Sequence, residues 1–291
     1  MTVVAAARAT VPSTCGELVQ GVDSRGPLLV SLPIEVSGTV EVALTRSPEV
    51  EVTPRRPRAE TALHLALDRS GWRGGARVRL GCEVPVGRGM ASSTVDVAGV
   101  IGAVFAAAGR ALSAQTLLTL MTAVEPSDSS PFAGLWAVDH VAATRSFPLS
   151  SMPHDWRLVA VDSGAALDTL AAHRAYGAGP RIPDGVADSL RHAGSRELAR
   201  LATESAVRNQ ERLPHPAFST VRAVATATGA LGVCVAHSGS LCAAICQGAA
   251  SAGLTAGALR SHGLACTGVW RVAAPGMRVE VRAAAPVATG R

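Results

Sequence analysis

From Ala76 to Gly109 the chain runs ARVRLGCEVPVGRGMASSTVDVAGVIGAVFAAAG. A strand-like stretch over 76–84 stops at Pro85. Gly87 and Gly89 follow, then a serine pair, and a long Ala/Val-rich helix from Ser92 to Ala108 with Gly109 as its C-cap. A strand passing through a glycine loop into a helix constrains the fold more than any other stretch of the chain. Glycines let backbone N–H groups come close to a ligand. The first N–H groups of the helix lack partners and sit at its partially positive end. Together these features make an anion site without a charged side chain. The hydroxyls of Ser92, Ser93 and Thr94 add groups for phosphate oxygens or Mg²⁺. Read alone, a glycine turn with a serine N-cap accounts for the same residues equally well.

Composition removes several mechanisms. All 27 residues of the Lys and Arg total are arginines. A Walker A loop, a protein-kinase strand lysine and Schiff-base chemistry all require lysine, so none applies. The 291 residues fit one large or two ordinary domains, and 48% apolar content supports a sizeable core. Aromatics are 3%, so Val, Ala and Leu must fill it. The net charge is +5, which suits an anionic ligand. The one dense basic run, TPRRPR at 53–58, sits among prolines without aromatics and reads as an exposed loop; no nucleic-acid partner is expected. Six cysteines stand at 15, 82, 234, 242, 246 and 266 with no C-x-x-C spacing. They read as small buried hydrophobes in a reducing, cytoplasmic setting rather than a zinc site. The opening MTVVAAARATV lacks a basic n-region and reads as a strand, not a signal peptide. No apolar run reaches ~18 residues, so no membrane span is expected.

The other elements follow in order. GTVEVALT (38–45) alternates like a strand. Ser113 caps a helix over 114–124 that stops at Glu125-Pro126. DWRLVAVDS (155–163) is a buried strand opening a second half, followed by helical stretches at 185–211 and 217–228. GALGVCVAHSGSLCAAIC (229–246) reads as strand, tight turn, strand. A helix near 250–261 and strands near 267–273 and 278–283 close the chain. The order predicts an α+β protein with a boundary near 150–155, giving domains of residues 1–153 and 154–291.

Three further stretches carry chemistry. VPSTCGELVQG (11–21) sets Glu17 between Gly16 and Gln20, although a bulged turn with surface polar residues fits as well. VEPSDSSPF (124–132) places Glu125 and Asp128 just past a helix end, where a capped turn is the alternative. AHSGSL (236–241) is a polar turn between apolar strands, which a simple hairpin also explains.

Taken together, the four stretches resemble the GHMP kinase superfamily in order and spacing. Pro85–Thr94 resembles its phosphate motif P-x-x-x-G-L-G-S-S-A, with Met90 for Leu, Ala91 for Gly and Thr94 for Ala. PSTCGELVQG, VPVGRGMASSTVDVA, VEPSDSS, the Asp139-His140 pair and VAHSGS look like the L-threonine kinases of cobalamin biosynthesis and propanediol utilisation, with a weaker echo at DSGAALDTLAAHR (162–174). The resemblance implies a GHMP-kinase-like two-domain fold, with an N-terminal half like ribosomal-protein-S5 domain 2 and a ferredoxin-like C-terminal half. It implies that ATP sits over Pro85, Gly87, Arg88, Gly89, Met90, Ala91, Ser92, Ser93 and Thr94. It also implies Mg²⁺ on Ser93 and Glu125, and Asp128 as the base that takes or orients the acceptor hydroxyl proton.

The implied acceptor is a small zwitterion, L-threonine; the sequence does not set the oligomeric state, and a homodimer is one option. Glu17 meets its ammonium, with Gln20 beside it. Arg174 is a fork for its carboxylate, near Thr169 and His173; an ordinary exposed arginine is the alternative there. His237 and Ser238 touch phosphoryl or substrate, or make structural hydrogen bonds. Rival readings are a kinase for homoserine, serine or another amino alcohol, and a ligand-binding regulator without catalysis. Intact Ser93, Glu125 and Asp128 argue against the second.

Overall fold

The computed structural model describes residues 2–81, 84–153, 155–162, 164 and 169–282. The chain opens with two long strands, β1 (Val3–Asp23) and β2 (Gly26–Thr45), then β3 (Val50–Thr53), α1 (Pro57–Ser70) and β4 (Ala76–Gly81). Helices α2 (Ser92–Ala107) and α3 (Ala114–Val124) follow, then short strands β5 (Trp136–Val138) and β6 (Ser146–Pro148). The later part holds β7 (Trp156–Asp162), α4 (Thr169–Tyr176), α5 (Val186–His192), α6 (Ser195–Asn209), α7 (Phe218–Ala227), β8 (Gly232–Val235), β9 (Leu241–Gln247), α8 (Gly248–Ser261), β10 (Cys266–Arg271) and β11 (Arg278–Arg282). Cys82 and Glu83, and Ser163 with 165–168, belong to stretches read from sequence but lie outside the described residues.

One sheet runs β10-β7-β9-β8-β1-β2-β4-β3, so strands from before and after residue 153 share a layer. β1 changes partners along its length. Its first half pairs with β11, from Ala6↔Arg282 to Thr10↔Arg278. Register shifts between Pro12 and Val19 then turn it, and Glu17 pairs with Val235 of β8. Gly16 makes that turn at φ +72°, where an added Cβ would lie 2.8 Å from the Val235 carbonyl carbon. The motif around Glu17 is therefore a bulged, buried strand, not a turn with surface side chains.

Both faces of β7, β8 and β9 are covered, which is why they read as continuous apolar runs. Leu158, Ala160, Cys234 and Ile245 face the core under α5 and α6. Val159, Val161, Val233 and Ala244 face the opposite core, under α7 and α8. A third core joins α1, α2 and α3 to the other half of the sheet. Helix α2 is buried on nearly every side, and Gly99 lets it approach the sheet: a Cβ there would meet Val40 Cγ2 at 2.5 Å. Ala, Val and Leu fill these cores, as the scarcity of aromatics requires. Cys15, Cys234, Cys242 and Cys246 are free and buried.

Two expectations need correction. The helical stretch at 185–211 is two helices, broken at Ala193 and Gly194. TPRRPR is not simply an exposed loop. Pro57 opens α1 at a position where its missing N–H costs nothing, and Arg56 and Arg58 turn inward onto acidic partners with their side chains about a quarter exposed, 27% and 26%.

Candidate active site

The loop before α2 adopts left-handed backbone at three places: Gly87 (φ 74°), Gly89 (φ 85°) and Ala91 (φ 58°). Ala91 is the N-cap and no side chain caps the helix, so Ser92 and Ser93 are helical residues rather than caps. The helix mouth is left with its N–H groups facing outward, the arrangement that suits an anion. Ala91 stands where the related motif has glycine, and its left-handed conformation costs about 1–2 kcal/mol.

The loop is held from two sides. The Met90 carbonyl accepts from Ser13 Oγ at 2.6 Å and from the Thr14 N–H at 3.4 Å, and the Met90 side chain packs into the core. On the other side the Ser240 N–H donates to the Arg88 carbonyl at 3.2 Å. Gly89 and Gly239 meet face to face: a Cβ on Gly239 would lie 2.3 Å from Gly89 Cα. The close backbone approach that Gly89 serves is thus to the 236–240 turn. The Arg88 guanidinium leaves the loop to pair with Asp162 at 3.2 Å.

A cleft of about 460 Å³ opens over this loop. Val86, Gly87 and Gly89–Thr94 line it; Pro85 and Arg88 do not. Its far wall is the start of α1. Arg56 pairs with Asp96 at 2.5 Å, and Arg58 Nε with Glu125 Oε2 at 2.8 Å. Ser93 Oγ donates to Glu125 Oε1. Glu125 therefore comes off the end of α3 with its side chain only 1% exposed, held between a helix-start hydroxyl and an arginine.

A smaller pocket of about 40 Å³ adjoins the cleft, lined by Gln20, His140, His173, Arg212 and His237 among others. Glu17, Pro126, Asp128 and Ser238 line both spaces. Asp128 is fixed at this junction by donors on each side. Ser31 Oγ donates to its Oδ1 at 2.9 Å and Thr94 Oγ1 to its Oδ2 at 3.2 Å. Its own N–H donates to Thr94 Oγ1 at 3.1 Å. Burial outweighs those hydrogen bonds and raises its pKa. Glu17 accepts from the His237 N–H at 2.8 Å. Burial pushes its pKa well above the usual carboxylate range, and the Asp128 charge adds to that. Glu17, which is buried, and the half-buried Asp128 thus face one small pocket.

The structure thus gathers Glu17, Gln20, Asp128, His173, His237 and Ser238. It leaves Arg174 exposed on α4, outside the pocket lining. Thr169 opens the same helix, and its side chain lies outside the described residues. The guanidinium that does line the pocket is Arg212, which donates to the Tyr176 and Gly177 carbonyls, the latter at 3.1 Å. Sequence reading missed Arg56, Arg58, Ser31 and Arg212. His140 stood in a quoted string but was given no role.

Among the described residues no cluster of three or more His, Cys, Asp or Glu side chains is placed to hold a metal ion, and no helix is long and apolar enough to cross a membrane. Comparisons with known proteins agree with this geometry. Residues 58–134 match the family model for the GHMP kinase N-terminal domain, and residues 187–264 the model for the GHMP kinase C-terminal domain. An L-threonine kinase of Citrobacter freundii is 32% identical over 80% of this chain and 84% of its own. One of Salmonella typhimurium is 32% identical over 80% of each chain. In fold, the chain is similar to a homoserine kinase from Cytophaga hutchinsonii, with TM-score 0.71 at 15% identity over 94% of this chain and 97% of that one. It is also similar to mevalonate diphosphate decarboxylase from Staphylococcus aureus, with TM-score 0.74 at 13% identity over 95% and 98%. The chain belongs to the ATP-dependent GHMP kinases and is related along four-fifths of its length to L-threonine kinases.

Proposed function

We propose that the protein transfers the γ-phosphoryl group of ATP to the side-chain hydroxyl of free L-threonine, giving O-phospho-L-threonine and ADP. The observation that carries this reading is the junction: a nucleotide-sized cleft and a small polar pocket meet at Glu17 and Asp128. Phosphoryl transfer needs an in-line donor and acceptor held together, with the developing charge stabilised.

In this reading the loop N–H groups and the start of α2 hold the phosphates. Asp128 takes the hydroxyl proton as the new O–P bond forms and the bond to ADP breaks; its raised pKa makes it a better acceptor. Glu17 receives the ammonium and Arg212, in place of Arg174, the carboxylate. Residues 1–153 then supply the nucleotide cleft, and 154–291 complete the acceptor pocket.

The donor set suits Mg²⁺. Ser93 Oγ and Glu125 Oε1 are adjacent oxygens beside the loop, and Mg²⁺ is commonly held by one or two carboxylates plus substrate phosphates. When bound, it would neutralise charge on the phosphoryl oxygens. The free buried cysteines fit a cytoplasmic setting. On the resemblance of its motifs to the threonine kinases of cobalamin biosynthesis, we propose that the product feeds the aminopropanol linker of cobalamin.

Glu17 gives this reading a pH signature. Its folded pKa is raised above the unfolded value. The stability it permits is complete below the unfolded pKa and is lost as pH rises through the folded pKa. Glu17→Gln should therefore melt higher than wild type at alkaline pH, with the gap closing in mild acid, while threonine binding is lost. Melting curves across pH check this; equal pH slopes would contradict it. The function itself is tested by ADP release with a panel of free amino acids and amino alcohols. Threonine-dependent release is expected, and release independent of any amino acid would overturn the reading.

A further inference from the structure

The acceptor pocket contains two histidines that the phosphoryl transfer leaves without a task. His140 is 2% exposed and His237 5%, and both line the pocket. Nδ1 of each ring has no hydrogen-bond partner among the described residues. Burial lowers their pKa values to about 4 and about 3, so both rings are neutral at physiological pH. A buried polar atom without a partner is unfavourable until a ligand supplies one.

Gln20 and the Ala178 carbonyl both adjoin the His140 ring. Gln20 Nε2 donates to the Ala178 carbonyl at 3.0 Å, and a carbonyl can only accept. The amide nitrogen, not the oxygen, therefore lies on this side, 3.4 Å from His140 Nε2. An amide nitrogen donates and does not accept. A ring protonated on Nδ1 lets Nε2 accept from this amide, whereas a ring protonated on Nε2 would donate to the Ala178 carbonyl. For His237, Ser205 Oγ, 3.3 Å from its Nε2, can likewise donate or accept.

The backbone around His140 is also held. The Asp139 carboxylate accepts from the N–H groups of Val141, Ala142 and Thr144 and from the Thr144 hydroxyl. The His140 carbonyl accepts from the Ser127 N–H at 3.0 Å, beside Asp128. The His140 backbone is thus tied to the same turn as the proposed base, and among the described residues lining the pocket Arg212 is the one arginine.

We infer that His140 carries its proton on the unpartnered Nδ1 and selects for acceptors that bear a carboxylate, this N–H donating to one carboxylate oxygen while Arg212 meets the charge. This deepens the threonine-kinase reading and rests on it. The probe is 1-amino-2-propanol, which is threonine without its carboxylate. His140→Leu removes the donor. His140→Asn keeps a donor nitrogen at the same distance from Cβ as Nδ1.

For His140→Leu, kcat/KM for threonine should fall about 10–100-fold, the loss typical of a hydrogen bond to a charged group, mainly through KM. The loss for 1-amino-2-propanol should be much smaller, so that the ratio of the two substrates collapses. His140→Asn should recover part of the ratio. Nucleotide dissociation constants near wild type show that each variant is folded. An unchanged ratio in His140→Leu, or no recovery in His140→Asn, would overturn the inference. A wild-type enzyme that does not phosphorylate threonine would instead overturn the reading beneath it.

Discussion

Replacing Asp128 by alanine should lower kcat by about 10²–10⁴-fold, the range of a general base, with little change in KM for ATP. The carboxylate stands where both cavities meet, and its two oxygens are aimed by Ser31 and Thr94. Those hydroxyls are fixed in turn. Ser31 Oγ accepts from the Ser129 N–H and Thr94 Oγ1 from the Asp128 N–H, each at 3.1 Å, which commits each hydroxyl proton to the carboxylate. An interaction made mainly in the transition state appears in kcat rather than in nucleotide KM. Asp128→Asn sharpens the test, because the amide keeps the shape but cannot take the proton. Near-wild-type turnover of Asp128→Asn would show that residue 128 only orients the hydroxyl. Near-wild-type turnover of folded Asp128→Ala would remove it from the chemistry.

Gly89→Val should damage both stability and nucleotide affinity. A Cβ at residue 89 would fall 2.1 Å from Ala236 Cβ, and the backbone there has φ +85°. Forcing a branched residue into that conformation costs about 1–3 kcal/mol, and the overpacking adds roughly 1–3 kcal/mol. The sum is a large fraction of the ~5–15 kcal/mol that holds a typical protein folded. Relief would come by separating the loop from the 236–240 turn, which moves the phosphate-facing N–H groups. Denaturant unfolding and ATP titration read the two effects. Unchanged ATP affinity would show that the loop does not hold the nucleotide.

What the sequence showed was local. The strand–loop–helix at 76–109, the cap at Ser113 and the stop at Glu125-Pro126 rest on backbone rules spanning a few residues; the elements appear in that order, with the strand described over Ala76–Gly81 and the helix capped at Ala108, one residue before Gly109. Asp128 and Glu17 were visible because their motifs place them beside glycines and turn residues. The reason for Gly89 was not, because its neighbour Gly239 lies far along the chain. Arg56 and Arg58 were hidden for a different reason. A proline-flanked arginine run looks solvated, and only the packing of α1 on α2 brings it to Asp96 and Glu125. Arg212 lies just beyond α6 with no motif around it, so Arg174 in a family-like string drew the assignment instead. Likewise nothing local signals that β1 leaves β11 for β8 at Glu17, yet that switch buries the carboxylate.

The central claim is that the pocket at Glu17, Asp128 and Arg212 takes free L-threonine. The most direct test compares kcat/KM for L-threonine, L-serine and L-homoserine at saturating Mg·ATP. Threonine should exceed serine by roughly 10–200-fold, the discrimination one methyl group can supply. Homoserine should fall further behind, because its hydroxyl is displaced by one carbon from Asp128 and the γ-phosphate. A value for threonine equal to or below that of either competitor would contradict the account.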